Sequence, residues 1–469
     1  MGRKKNKIAL HTLLAVAACG VDQAARASGY QFDVQSIRAQ GSSNAGTAEA
    51  SDPSTIFYNP AGLTRLESNQ ATFGGTAVNP HSTFRFSSAT NGSGQPVSSA
   101  DSGGNYAKQA VIPHGYLSHQ INDRLTAGIG LFVPYGSKIG YDDNFAGRYY
   151  GSDVDFKSLN INPSLGFKLN ARHSIGFGVS AQYLNVKLSK NQDLSPVAFG
   201  TCLAGGGDPA TCQGAAMAYA TQADAKVRVS GTDWGYGFNL GYLFTPSDGT
   251  RIGLAYRSFI TQKLHGSAQF TIPSNLPGGS VSPLNGGIHT ALANSDASMA
   301  VTTPESVSLN TYHELDTRWA VMGDITWNRH DRLQAIEIDM PTAQIPDRKV
   351  VQETAWRNSW RASVGASFKF DEQWTMRGGY MYDQSPASNS RYALTVLPDA
   401  NRQMYSLGAS YRIDSHNALD LAYSYIKLKQ APINRMDDDY DSRNGTPGVL
   451  NGSYHTRVNL IGIGYTHKF

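Results

Sequence analysis

The sequence predicts an all-β fold, a 14-stranded antiparallel transmembrane β-barrel with an N-terminal plug, or hatch, inside its lumen. Three observations predict it: a weakly charged, Gly- and aromatic-rich composition, a series of long period-two runs, and an alternation of short and long links between those runs. Only 16% of the 469 residues are charged, while Gly numbers 48, Tyr 24, Phe 18 and Trp 6. A soluble chain carries about 25% charged residues, and a disordered one has few aromatics. Mean hydropathy is −0.35, far from that of a helical membrane protein. After residue 27 no run of 18 apolar residues occurs, so spanning helices are excluded.

The N-terminus reads as an export signal, residues 1–27. Arg3, Lys4, Lys5 and Lys7 form a basic start, Ile8–Ala18 is mostly apolar, and Ala25-Arg26-Ala27 is a small-x-small cleavage site, which makes Ser28 the first mature residue. Val16-Ala17-Ala18-Cys19 is a rival site that would leave a lipidated Cys19. The chain has 40 basic and 36 acidic residues. Cleavage after Ala27 removes five bases (with Arg26) and one acid (Asp22), leaving 35 of each. No basic excess remains to bind nucleic acid. Cys202 and Cys212, in a Gly-rich stretch of an exported chain, suggest one disulfide, with two free thiols the alternative. They lack His partners at ligand spacing, so no metal site is expected.

Residues 28–66 are small and polar without alternation. A barrel of this width needs filling, and the apolar anchors Phe32, Ile37, Ile56, Phe57 and Leu63 place this segment in the lumen. The barrel itself takes 67–469. Its fourteen runs lie near 68–86, 105–120, 123–136, 155–169, 173–189, 226–244, 250–271, 299–315, 317–340, 350–370, 373–385, 396–412, 417–430 and 453–469. Trp234, Tyr236, Phe238, Leu240, Tyr242 and Phe244 alternate mostly with Gly, the pattern of a strand between lipid and lumen. Turns such as Asn170-Ala171-Arg172 and Asp371-Glu372 are short. The links 87–104, 137–154, 190–225, 272–298, 386–395 and 431–452 are long, and 341–349 is the short member of that set. Short periplasmic turns and long outer loops give this asymmetry, which puts both termini in the periplasm. The last strand ends on Phe469, with Tyr465 on the same face.

Ordered motifs extend the reading. Ser28-Gly29-Tyr30-Gln31, Asn59-Pro60-Ala61, Gly128 to Gly136 (GIGLFVPYG), Phe145-Ala146-Gly147-Arg148-Tyr149 and Asn160-Ile161-Asn162-Pro163-Ser164 follow one another along the chain. Tyr256-Arg257-Ser258, Gly323 to Trp327 (GDITW), Gly378 to Asp383 (GGYMYD) and Pro398-Asp399 continue the series. In this set the chain resembles the outer-membrane FadL/TodX family of long-chain fatty acid and aromatic-hydrocarbon transporters. The resemblance runs from Ser28 to Phe469 and is weakest in 190–225 and 272–298. It implies a non-enzymatic passive transporter without cofactors in the outer membrane of a Gram-negative bacterium. It implies capture of a hydrophobic ligand by the outer loops, an inner pocket, and sideways exit through a kinked third strand.

Site residues follow from alternation and this implied route. Arg257, Arg361, Lys369 and Arg377 fall on the lumen phase, where a fatty acid carboxylate in an apolar pocket needs a cation. Arg257 comes first because Ala255 and Phe259 flank it on one face, and Arg377 second. Pairing of each with a lumen acid such as Asp324 is the competing expectation. Gly128, Gly130 and Pro134 are the expected lateral gate, since Gly weakens a strand and Pro removes a donor, although the glycines could equally make room for the plug. Phe199 and Leu203, with other apolar residues of 194–217 and 272–292, are candidates for an outer groove, or else pack on one another. Asp437-Asp438-Asp439-Tyr440-Asp441 reads as a solvated acidic loop. Outer-membrane lipid, lipopolysaccharide and the outer-membrane assembly machinery are the expected partners, and the barrel is expected to be a monomer. A barrel enzyme would need Ser306 or Ser308 to meet His313. A general porin would need an open lumen.

Overall fold

A computed structural model describes residues 30–220, 224–279, 282–343, 348–436 and 448–469. The export signal, the mature start at Ser28 and the acidic loop 437–441 lie outside the described residues. Fourteen antiparallel strands form a closed barrel. They are β1 (Gln70–Ala89), β2 (Ala110–Gln120), β3 (Leu125–Phe132 and Gly136–Gly140), β4 (Asp153–Lys168), β5 (His173–Gln192), β6 (Ala225–Ser247) and β7 (Thr250–Arg257 and Ile260–Thr271). Then come β8 (Ser295–Thr303 and Ser306–Glu314), β9 (Trp319–Asn328 and Ala335–Asp339), β10 (Lys349–Glu353 and Ser359–Lys369), β11 (Trp374–Asp383), β12 (Arg402–Arg412), β13 (Asn417–Leu428 and Ala431–Arg435) and β14 (Leu450–Lys468). Closure is made by β14, which pairs with β13 through Tyr423↔Ile461 and with β1 through Ala77↔Ile461. Closure leaves no exposed edge, as a strand protein in lipid requires.

The runs become strands because their apolar phase faces out. Ile461, Ile463, Trp360, Val364, Phe238 and Leu407 are exposed on the outer wall, while Asn162, Ser180, Gln182 and Asn239 are buried on the inner one. Among the described residues no helix is long and apolar enough to cross a membrane.

Tyr30–Leu66 fills the lumen with short turns of helix, Ile37–Gly41, Ala45–Glu49, Thr55–Tyr58 and Pro60–Arg65. Asn59 explains its own motif. Its side chain accepts from the Ala61 amide at 3.1 Å and donates to the Tyr242 carbonyl of β6 at 3.0 Å. Pro60 then begins the turn at a position where its missing N–H costs nothing. Glycines on the inner wall let this backbone come close. A Cβ at Gly176 would sit 2.2 Å from the Ala61 nitrogen, and one at Gly379 2.1 Å from the Ser42 oxygen. Phe32, Ile37, Ile56 and Leu63 are all buried.

The outer links build a cap. Leu194–Ala204 and Pro209–Ala220 form an α-hairpin, and Pro283–Ala291 packs beside it. Leu194, Ala198, Tyr219, Leu276, Ile288 and Leu292 make its core. The expected link 431–452 is shorter than its sequence suggested, because Ala431–Arg435 continues β13 and pairs with Leu450–Tyr454.

Candidate ligand path through the barrel wall

The third strand is broken, and the break interrupts its ladder with β2. From Thr126 to Phe132 it pairs with both β2 and β4. From Gly136 to Gly140 the ladder runs with β4 only. Contact with the β2 side resumes as a single bridge, Ala107↔Ile139. Between these points Ala110–Pro113 of β2 has no ladder partner on β3. Pro113 and Pro134, one on each side, lack the N–H that pairing would use.

The N-terminal segment takes the vacant place. The Phe32 amide donates to the Pro134 carbonyl at 2.7 Å, and the Gly136 amide to the Tyr30 carbonyl at 2.8 Å. The Gln35 side chain donates to the Val133 carbonyl at 2.7 Å. Pro134 is thus at the break, but Gly128 and Gly130 are not. Both glycines pair regularly on two sides, with Ser118 and Tyr116 of β2 and with Ser164 and Asn162 of β4. A Cβ on Gly128 would lie 2.7 Å from Ile56 and 3.2 Å from Leu63, and one on Gly130 2.9 Å from Tyr116. Gly128 makes room for the hatch and Gly130 for the Tyr116 ring, within a ladder that pairs on both sides.

Behind the N-terminal segment lies an inner cavity of 40 Å³, lined by Asp33, Phe57, Pro134, Tyr135, Arg257, Asn310, Asp324 and Arg361 among others. At about 10–15 Å³ per water it holds roughly three waters, not a long chain. Arg257 donates to the Phe57 carbonyl at 2.7 Å and lies over the Phe57 and Phe132 rings, with centroids at 4.9 and 5.6 Å. Its other contact is Ser180 Oγ at 3.5 Å. No carboxylate pairs with it among the described residues. Arg361 differs. It pairs with Asp33 of the N-terminal segment and with Asp324 of β9 at 3.4 Å, and donates to Thr326 at 2.9 Å. Its charge is already matched.

Arg377 lies elsewhere. It pairs with Glu49 of the hatch at 2.9 Å and lines a 480 Å³ vestibule at the short-turn end of the barrel together with Lys369. Burial would raise the Glu49 carboxyl, but the Arg377 guanidinium outweighs this and holds it below its ordinary range. That pair therefore steadies the docked hatch at neutral pH and is lost on acidification. Phe259 does not flank Arg257. The break after Arg257 shifts the strand phase by one residue, so Ser258 and Ile260 turn inward and Phe259 is left on the outer side beneath the Arg332 guanidinium, 3.9 Å from its ring. Ser306 and Ser308 line the inner cavity, whereas His313 is exposed with Leu309 on the opposite face. The two serines do not meet it.

A second cavity of 110 Å³ lies above, under the cap. Leu188, Val227, Val229, Phe270, Leu292, Ile336, Ile338 and Val350 dominate its walls, with Lys190 at its edge. Of the described cap residues singled out by sequence only Leu292 lines it. Phe199 is half-buried and Leu203 exposed on the hairpin, away from this groove. Most of the groove comes from strand ends near the cap. Their signal was present: apolar residues on the inward phase, such as Leu188, Val227 and Val229. Cys202 and Cys212 form a disulfide across the hairpin. Closing a loop of this size contributes roughly 2–3 kcal/mol. Replacing both with Ser is expected to speed protease cleavage within 194–220 and leave barrel melting unchanged. Equal cleavage rates would show that apolar packing alone orders the hairpin.

The comparisons agree with this architecture. A family model described as outer membrane protein transport protein (OMPP1/FadL/TodX) matches residues 18–469. A Neisseria meningitidis serogroup B chain named for the outer membrane is 33% identical over 99% of this chain and 98% of its own length. The long-chain fatty acid transport protein of Escherichia coli K12 is 26% identical, covering 92% of this chain and 94% of its own. The crystal structure of a Pseudomonas aeruginosa FadL homologue superposes with a TM-score of 0.81 at 26% identity, over 94% of this chain and 100% of that one. The chain belongs to the OMPP1/FadL/TodX family, outer-membrane transport proteins for hydrophobic compounds.

Proposed function

We propose that this protein carries long-chain fatty acids passively across the outer membrane. The observation that supports this reading is Arg257, a lumen cation with no carboxylate partner among the described residues, set against two aromatic rings in the cavity that also touches the broken strand. An apolar acid needs that combination, because its chain leaves water while its carboxylate still requires a charge-assisted donor. The apolar groove under the cap is the place of first capture. Pro134 and Tyr135 line the Arg257 cavity, so a ligand whose carboxylate end enters it lies beside the break between β2 and β3. Exit through that break returns the chain to lipid without exposing it to the periplasm.

Uptake of labelled oleate in cells lacking their own long-chain transporter tests the reading, with outer-membrane insertion verified separately. Restored uptake is expected. Arg257→Ala should reduce it about 10- to 100-fold, the range of one charge-assisted bond, and spare toluene, which has no charge to match. Fatty acid uptake undiminished in that variant would remove the carboxylate role. Toluene uptake without oleate uptake would assign the path to neutral aromatic hydrocarbons.

A further inference from the structure

The outer wall carries an unneutralised row of bases just above its apolar band. Along β14 the outward residues are Tyr465, Ile463 and Ile461, then Asn459, Arg457 and His455. The Tyr423 hydroxyl donates to Asn459 at 2.8 Å and marks the upper rim of the band. One outward step higher, Lys427 of β13 is directly opposite Arg457 of β14, and Arg457 is directly opposite His81 of β1. All three are exposed, as are Lys429 and Arg85 nearby. None of the five forms an ion pair among the described residues. Like charges placed directly across neighbouring strands destabilise a sheet. An anion bound across the row would remove that cost.

The height of the row limits what the anion is. Two residues along a strand advance about 6–7 Å, so the row sits two such steps beyond the last lipid-facing aliphatic residues, Ile461 and Ala77, and one step beyond the rim at Asn459. That is the level of lipid headgroups, at the end of the barrel away from the short turns and both termini. We propose that Lys427, Arg457 and His81 form a docking site for the phosphate groups of a glycolipid in the outer leaflet, with its acyl chains lying on Ile461, Ile463 and Leu421. Lysine and arginine supply the donors for phosphate, arginine in bidentate form.

The full-length chain purified in detergent would be incubated with lipopolysaccharide, with the same material after enzymatic dephosphorylation, and with lipopolysaccharide plus excess inorganic phosphate. Retained glycolipid would be quantified by native mass spectrometry. The intact chain should retain the phosphorylated form. Dephosphorylation, or the double variant Lys427→Gln with Arg457→Gln, should weaken retention about thirtyfold, near the effect of two surface cations on anionic lipid. Arg172→Gln, in a periplasmic turn, should change nothing. Equal retention by the double variant overturns the site. Equal retention of dephosphorylated material overturns the phosphate contact. Complete displacement by inorganic phosphate would reassign the row to a free anion.

Discussion

Gly176→Leu is expected to leave a folded barrel whose hatch is not seated. Any side chain at this position must occupy space held by the backbone of Pro60 and Ala61, only 2.2 Å from the ideal Cβ. Backbone cannot rotate aside as a side chain can. The hatch must lift, which breaks the Asn59–Tyr242 hydrogen bond and withdraws Ile56 and Leu63 from their pocket. Burying each of those side chains contributes about 1.5–3 kcal/mol, so loss of the seat outweighs anything a leucine gains in the lumen. In planar bilayers the native chain should show little conductance and the variant large steps. Heat-modifiable mobility would verify that the variant barrel is folded. A folded variant with native conductance would refute the hatch as the element that closes the lumen.

Arg361→Met is expected to destabilise the protein by about 3–5 kcal/mol, the cost of breaking a buried ion pair from one side. Asp33 and Asp324 are both buried and would be left facing each other without a cation. Asp324 keeps Thr326 and Thr47 as donors, at 2.8 and 3.4 Å. The larger effect therefore falls on Asp33 and on the Tyr30–Gln35 segment that covers the break in β3. Proteolysis of that segment should accelerate together with the fall in melting temperature. Adding Asp33→Asn should recover part of the loss, giving a double-mutant coupling above about 1 kcal/mol. Additive effects would show that the pair does not hold the segment. The two variants separate the roles of the hatch: Gly176 tests its seat on β5 and β6, and Arg361 its tether over the break in β3.

The contrast between Arg257 and Arg361 shows how far alternation reads a site. Period two placed both side chains in the lumen, correctly, because the rule concerns only neighbours in one strand. It could not say which of them meets an acid. Arg377 is neutralised by Glu49, 328 residues earlier in the chain, and Arg361 by Asp33, equally remote. Such pairings depend on how the hatch is threaded, and no local pattern encodes that.

The sequence by itself determined the wall: fourteen strands, their lipid face, short turns at one end, and the family through its ordered motifs. Alternation and turn chemistry are local, so they survive without knowledge of the rest of the chain. Only the tertiary structure decided the interior. It put the interruption of the β2–β3 ladder at Val133–Tyr135, while Gly128, against Ile56 and Leu63 of the hatch, and Gly130, against Tyr116 of β2, keep partners on both sides. It turned Phe259 outward, since one irregular step after Arg257 inverts the phase of all that follows. It built the outer groove from projecting strand ends and left the cap hairpin to pack largely on itself. Each of these outcomes depends on contacts between segments far apart in sequence, where the physics of one strand gives no information about its partner.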